Sequence, residues 1–460
     1  MNIQPDIKET IPDLKTVFPK LKKGVTLYRY PDKKYVVLYD LNKVFVNNLS
    51  MKILRLADGT RSLYEILQKI VGEHLVDTKE EQEQIYAFVK AAEQKGFLSL
   101  SSTRSAISTK QILQGDSHVY YPYHLTLELT YQCNLRCPQC YIDAGPMNGS
   151  GFLPVKLLFP RLEFLFKKGL RIIELTGGEP LLHPDFFTIL DFCCVRFPAV
   201  VVLTNGTLMT SRDAERFGKY KDKVQVSISL DGPTAAVHDK IRGKAGAYEK
   251  TTKAIQLLAQ QGVYVRVSMT VFPETQVYIE DTVELAKRLG AKSFTYSSPL
   301  PFGRAGDGRV CGALEQASSQ QNQYQRIQEN YKGFIEIVDE KKLQEILSCS
   351  SNCGAGWSKF VVSPTGVVRP CLLAPVSWFS FGNILYSSPE EIFCDRRCSF
   401  FDHLCMPKKD KQPCSSCQDR IYCGYCWVRG VQKNISEHRR CPWFERSGLC
   451  KYLHVDTVIK

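Results

Sequence analysis

The stretch HLTLELTYQCNLRCPQCY, residues His124–Tyr141, decides how the rest of the chain is read. Residues His124–Leu129 have the composition of a strand. The chain then breaks directly into Cys133-x3-Cys137-x2-Cys140-Tyr141. Three thiolates can bind three irons of a four-iron, four-sulfur cluster and leave the fourth iron open for a substrate or cofactor. A structural zinc site would want a fourth Cys or His nearby, and this loop holds none.

Outward from this loop, apolar runs alternate with helix-period stretches. His124–Leu129, Arg171–Leu175, Val200–Thr204, Val224–Leu230, Tyr264–Val271 and Ser293–Ser298 read as strands. Ala254, Leu257 and Leu258 mark one intervening helix closed by Gly262, and Ile279, Val283 and Ala286 mark another closed by Gly290. Repeated strand–helix units imply a parallel sheet with right-handed crossovers. Six such units over residues 123–335 predict an α/β fold, a partial (β/α)6 TIM-type barrel with its chemistry at the strands' C-terminal ends.

The other candidate motifs fall at those ends. Gly177-Gly178-Glu179-Pro180 follows the second strand. Two glycines let the backbone approach a ligand closely, and Glu179 can take an ammonium group. A tight turn would explain the glycines and Pro180 but not Glu179. Asn205 ends the third strand in Thr204-Asn205-Gly206, which is also an ordinary turn sequence. Ser229-x-Asp231-Gly232 ends the fourth, and Arg242 follows in HDKIRGKAGAY, where a solvated surface charge is the alternative. Ser268 and the pair Ser297-Ser298 face the same end.

Cysteine usage points the same way. The chain has 460 residues and 18 cysteines; none precedes Cys133 and most lie beyond Cys349. The N-terminus, MNIQPDIKETIPDLK, carries charges where a signal peptide needs an apolar run, and no apolar stretch reaches spanning length. A cytoplasmic protein is expected, where thiols stay reduced, so short regular cysteine spacings indicate metal or iron–sulfur ligation rather than disulfides. After Cys349 come Cys353-Gly-Ala-Gly, Ser363-Pro-Thr-Gly366-x4-Cys371, Cys414-x2-Cys417-x5-Cys423-x2-Cys426, and Cys441. This segment, residues 345–455, has few regular elements and needs bound metal as a staple. A zinc ribbon is the rival reading. Cys394, Cys398 and Cys405 are substitute ligands or core thiols, and Cys193 and Cys194 belong to a barrel helix.

Residues 20–100 form a third segment. Thr26–Tyr30 and Tyr35–Asp40 read as strands, LSMKILRLADG as a short helix closed by Gly59, and Ser62 with Glu65 as a capping box. A further helix opens at Thr78 with Glu81. Together they predict a small winged-helix-like unit, joined to the barrel by a polar linker over 101–122. DNA binding suits it poorly, because EEQEQIYAFVKAAEQ is too acidic for a phosphate groove. The hydrophobic content of 44%, with 23% charged residues, is that of a globular protein, and the net charge of +13 favours acidic partners.

A CxxxCxxC after the first strand of a partial barrel resembles the radical S-adenosylmethionine (radical SAM) enzymes. In that superfamily GGEP binds the amino group of the cofactor's methionine part. Asn205, Ser229, Asp231 and Arg242 resemble its other cofactor-binding positions, the last two motifs contacting ribose and carboxylate, and Tyr141 closes the cluster motif. The open iron chelates the methionine part, and one electron yields a 5′-deoxyadenosyl radical. The cysteine-rich segment resembles the SPASM domain, which carries two auxiliary four-iron clusters. Carried over, Cys353, Cys371 and Cys426 with Cys349 would serve the nearer cluster, and Cys414, Cys417, Cys423 and Cys441 the farther. The usual final CxxxC of that run is here Cys423-x2-Cys426, which leaves individual ligands open. The first segment resembles the PqqD-like domain, which binds a precursor's leader peptide as an added strand.

The three segments in this order resemble ribosomal-peptide maturases, and LTNGTLM, VSISLDG and NCGAGWSKFVVSPTGVVRPC resemble sactionine synthases of the subtilosin A maturase type. That resemblance implies thioethers from cysteine sulfur to the α-carbon of another residue, with electrons from a flavodoxin- or ferredoxin-type donor. Thioethers at β- or γ-carbons, carbon–carbon crosslinks and epimerisation would use the same parts. An anaerobic sulfatase-maturing enzyme has no need of residues 20–100, and an iron–sulfur DNA-binding regulator leaves GGEP unexplained.

Overall fold

The computed structural model describes residues 11–32, 34–39, 42–71, 79–105, 113–146, 149, 151–297, 299, 303–307, 326–336, 353–394, 396–405, 411–417, 426–428, 431 and 441–452. Contacts divide the chain into two compact units. One is Met1–Tyr121 with Gln344–Ser350, the other Pro122–Leu343 with Ser351–Lys460.

The first unit contains β1 (Phe18–Leu21), β2 (Thr26–Tyr30), β3 (Lys34–Tyr39), β4 (Asn42–Val46), α1 (Asn48–Leu56), α2 (Leu63–Val71), α3 (Lys79–Gln94), β5 (Leu98–Ser101) and β6 (Leu113–Gly115). Helix α1 starts because the Asn47 side chain accepts the Ser50 amide at 2.8 Å. Helix α2 starts at the reciprocal Ser62–Glu65 pair, 2.7 and 3.2 Å. The Thr78 start of the third helix lies outside the described residues. Leu27 and Val37, cross-strand partners, pack with Met51, Leu54, Leu63, Ile66 and Val89. The sheet order is β4-β3-β2-β6, with β6 parallel to β2, while β1 and β5 pair separately. The stretch read as a polar linker over 101–122 thus supplies an edge strand. Its three residues are too few to show a period.

In the second unit the barrel strands are β7 (His124–Glu128), β8 (Ile172–Thr176), β9 (Ala199–Thr204), β10 (Val224–Ser229), β11 (Tyr264–Thr270) and β12 (Ser293–Ser297), all parallel and in sequence order. Between them run α4 (Val155–Lys168), α5 (Phe186–Arg196), α6 (Ser211–Gly218), α7 (Ala235–Arg242), α8 (Ala247–Gln260) and α9 (Ile279–Arg288). Ser298 lies outside the described residues. Leu125, Leu127, Ile173, Leu175, Val200, Val202, Val226, Ile228, Val265 and Val267 are fully buried on one face. The opposite face carries Thr126, Glu128, Glu174, Thr176, Ser227, Ser229, Arg266, Ser268 and Thr270, two residues apart along each strand. A closed TIM barrel fills its lumen with branched apolar side chains. Here the lumen is polar, and Glu174, Ser229, Arg266 and Ser268 are only half-buried.

The sheet does not end at β7. Strand β13 (Lys359–Val362) pairs with it in parallel, followed by β14 (Val367–Arg369) and β15 (Gly382–Asn383), so the cysteine-rich segment extends the barrel sheet to nine strands. The segment also contains α10 (Pro389–Phe393), α11 (Arg396–His403) and α12 (Pro442–Ser447). Among the described residues no helix is long and apolar enough to cross a membrane.

Candidate functional site

The loop after β7 holds the three cysteines with almost no regular structure of its own. Cys133 and Cys137 are buried with Leu135 and Ala144, and Cys140 is half-buried. Burial pushes the Cys133 thiol up to about 12; the Leu135 amide opposes this, and the charges of Glu179, Cys137 and Cys140 add to it. Burial also raises Cys137, against the nearby Arg242 guanidinium, and Cys140 is again among the charges it feels. Cys133, Leu135, Cys137 and Ala144 form one packed cluster with Cys140 against it, and a cation is what would let these thiols ionise.

The GGEP loop leans on this one. Gly178 donates its amide to the Thr130 carbonyl (2.7 Å), and Glu179 donates to Gln132 (2.8 Å). A Cβ on Gly177, at φ 137°, would lie 2.2 Å from the Thr130 oxygen, and one on Gly178 2.2 Å from the Gln132 oxygen. The sequence explained these glycines by close approach to a ligand; the backbone they approach is the cluster loop itself. Pro180 opens a short 3-10 turn, Pro180–Leu182.

Glu179 is fully buried. Its carboxylate accepts from Thr204 Oγ1 (2.7 Å), the Asn205 amide (2.9 Å) and the Leu181 amide (3.2 Å). Burial outweighs these donors and raises its pKa to about 7. Among the described residues no cation pairs with it. Asn205 extends Nδ2 to Asn134 Oδ1 (3.0 Å) and toward Cys133 Sγ (3.8 Å), tying the third strand end to the loop.

Across the barrel mouth, Arg242 is not a solvated charge. It is 9% exposed, pairs with Asp231 at 2.7 Å and donates toward Cys137 Sγ at 3.7 Å. Asp231 also accepts from the Thr270 amide (2.8 Å) and from Gln139 Nε2 (3.2 Å), so its carboxylate is committed to protein donors. Ser229 sits half-buried two residues before it. The buried Arg242 Nε and Gln139 Oε1 have no partner among the described residues.

A second buried ion pair joins the barrel to the cysteine-rich segment. Arg369 forks onto Glu128 at 2.6 and 2.7 Å, with exposures of 2% and 0%. Tyr131 donates to the same carboxylate at 2.8 Å. Arg369 Nε donates to the carbonyl of Cys371 at 3.2 Å. The Tyr141 phenol lies in the same field: burial raises its pKa first, then Glu128, against Arg369. Burial pushes the Cys371 thiol up to about 12, and the charges of Cys426 and Cys353 are the next causes. Cys441 is raised by burial and feels Cys417. Cys414 opens a 3-10 turn that closes at Cys417. Cys349 and Cys423 lie outside the described residues.

Residues 127–286 match the model of the radical SAM superfamily, and residues 353–418 match that of an iron–sulfur cluster-binding domain, SPASM. The chain is 32% identical to the antilisterial bacteriocin subtilosin biosynthesis protein AlbA of Bacillus subtilis, over 95% of this chain and 98% of AlbA. The chain belongs to the radical SAM superfamily. It is also 27% identical to the sporulation killing factor maturation protein SkfB of Bacillus subtilis, over 61% of this chain and 67% of SkfB. Among solved structures, Streptococcus suis SuiB bound to its precursor peptide SuiA aligns at TM-score 0.63 and 14% identity, covering 92% and 99% of the two chains, and shares the fold. As a radical SAM enzyme with a SPASM domain, the protein uses four-iron, four-sulfur clusters and S-adenosylmethionine.

The residues present fit these cofactors. The clustered thiols, the buried Glu179 without a cation and the unpartnered Arg242 Nε are the complement of iron, an ammonium group and a carboxylate respectively. Sequence reasoning missed Glu128, Gln139 and Arg369. Glu128 was visible as a polar residue within an apolar strand, and Arg369 as the residue two before Cys371, but their pairing spans 241 positions.

Proposed function

We propose that this enzyme matures a ribosomally made precursor peptide by joining cysteine sulfur to the α-carbon of another residue. The observation that carries this reading is the extent of the likeness to AlbA, which runs through all three segments and not the barrel alone. In this reading Cys133, Cys137 and Cys140 hold the cluster that binds S-adenosylmethionine. Glu179 accepts the methionine ammonium, oriented by Gly177, Gly178 and Pro180. Arg242, held by Asp231, presents its Nε to the carboxylate, and Ser229, Asn205 and Tyr141 line the same space. When bound, the cluster and cofactor supply a carbon-centred radical able to abstract hydrogen. The polar lumen below accepts a peptide backbone without burying unpaired amides.

Two auxiliary clusters complete the assignment. Cys353, Cys371 and Cys426, with Cys349, serve the nearer; Cys414, Cys417, Cys423 and Cys441 serve the farther. The influence of Cys426 and Cys353 on Cys371, and of Cys417 on Cys441, supports this division. The first unit acts as the PqqD-like reader. Its sheet ends in the five-residue β4 on one side and the three-residue β6 on the other, so among the described residues β4 is the longer edge for an added leader strand. A net charge of +13 suits an acidic flavodoxin- or ferredoxin-type donor.

Forming a sulfur–carbon bond in this way removes two hydrogens from the peptide. Anaerobic incubation of the reconstituted enzyme with the cysteine-containing precursor should yield that mass loss, located by tandem mass spectrometry at a cysteine and an α-carbon. A modified peptide without the sulfur link, or a link to a β- or γ-carbon, would overturn the reaction assigned. Unchanged peptide would overturn the substrate class.

A further inference from the structure

A short turn after the last barrel strand folds back onto the cluster loop. Residues Gly303–Asp307 make one 3-10 turn, anchored by the fully buried Ala305. The Arg304 amide donates to the Cys140 carbonyl at 3.0 Å. Its side chain then engages the rest of the loop: Nε donates to the Cys137 carbonyl at 2.8 Å, and Nη1 to the Ala144 carbonyl at 2.7 Å and to Asp143 Oδ1 at 2.6 Å. All four acceptors lie between the second cluster cysteine and the loop's end. Gly303 allows this approach. At φ 56°, a Cβ there would lie 2.3 Å from the Cys140 oxygen and 2.6 Å from the Tyr141 carbonyl carbon.

The arrangement answers a need of the loop. Residues 133–144 contain no helix or strand, and the loop's own amides reach the Cys137 and Cys140 carbonyls only at 3.3 and 3.5 Å, so shorter bonds to them must come from outside it. A guanidinium offers several donors in one rigid fork, which an ammonium cannot reproduce. The Arg304 side chain is 17% exposed, so its two bonds to carbonyls are made partly out of water, while Asp143 is 67% exposed. The loop it closes holds two of the three sulfurs.

We propose that Arg304, admitted by Gly303, is a positioning residue that closes the cluster loop and sets how firmly the loop retains iron. The inference rests on the reading that Cys133, Cys137 and Cys140 hold the cofactor-binding cluster. Groups that orient ligands from outside the coordination shell are worth about 10–100-fold in metal retention.

The test uses the reconstituted full chain, reduced anaerobically, with S-adenosylmethionine added before electron paramagnetic resonance. Only a cluster with an open iron changes its spectrum with the cofactor, so that signal isolates the barrel cluster from the others. An iron chelator is then added and the decay of the signal followed. Arg304→Lys and Arg304→Gln should both lose it about 10–100-fold faster than the parent. Asp143→Asn removes the charge from one of the four acceptors and should show a smaller acceleration. The cofactor-insensitive signals, equal to the parent's in every variant, show that the chain has folded. If Arg304→Lys retains its signal like the parent, a point charge suffices and the fork is overturned. If every variant does, the clamp is overturned. A parent without any cofactor-responsive signal overturns the cluster assignment, and the clamp with it.

Discussion

Two cysteine-rich regions share the second unit, and they are built in opposite ways. The barrel loop packs Cys133, Cys137 and Cys140 into eight consecutive residues and receives its other groups from the topology. Strand ends deliver Glu179, Asn205 and Asp231 in order around one rim, and the C-terminus of α7 delivers Arg242. In the C-terminal region of this unit the proposed ligands run from Cys353 to Cys441. Among the described ones, only Cys371 has close strand support, two residues after β14. A scaffold-borne site can be pre-organised by packing alone, whereas a region of short turns depends on its metal for order. The roles should divide accordingly. Cys137→Ala should abolish S-adenosylmethionine cleavage. Cys371→Ala should leave 5′-deoxyadenosine formation in place while losing crosslinked peptide. Chromatography of both products from one anaerobic reaction checks this, and loss of cleavage in both variants would collapse the distinction.

The two regions meet at the Glu128–Arg369 pair. Its energetics differ from those of the surface pairs, such as Arg104–Glu65, whose side chains are 57% and 41% exposed and which contribute little. Removing one partner of a buried pair strands a charge and costs about 3–5 kcal/mol, while replacing both by apolar groups is often neutral. Arg369→Met alone should therefore destabilise the metal-free protein by about 3–5 kcal/mol, and Glu128→Leu with Arg369→Met by much less. Denaturant titration of the metal-free protein reads both values. Equal losses would mean that the pair contributes packing rather than charge compensation.

How much of this was legible varied with the distance over which residues act. The six barrel strands match their sequence readings to within two residues at each end, because period and turn chemistry are local. The cluster cysteines were legible for the same reason. Residues Leu113–Gly115 were not, since three residues carry no period and their strand exists only through pairing with β2. The extension of the sheet by β13 was hidden because its partner β7 is 235 positions away in register. The roles of Gly177 and Gly178 were half legible: the sequence announced a close approach but not what was approached. Arg242 was legible as a cofactor-binding candidate with a solvated charge as the alternative, but its enclosure by Asp231 and Cys137 was not.

The comparison is sharpened last by a cysteine that belongs to neither site. Cys398 lies in α11, fully buried, with its thiol toward the Ile392 carbonyl at 3.9 Å. Around it the segment forms an apolar cluster of its own, in which Phe360 meets Phe393 at 4.9 Å and Phe379 meets Phe401 at 5.5 Å. A buried thiol in such surroundings behaves as a small apolar side chain. Cys398→Ala should leave iron per chain unchanged and lower the stability of the metal-free protein by about 1 kcal/mol. The C-terminal region would then have a packed core under its cysteine loops, and its dependence on metal would be confined to those loops. A fall in iron would instead place Cys398 among the ligands, and the region would have no metal-independent centre to distinguish it from a fully stapled fold.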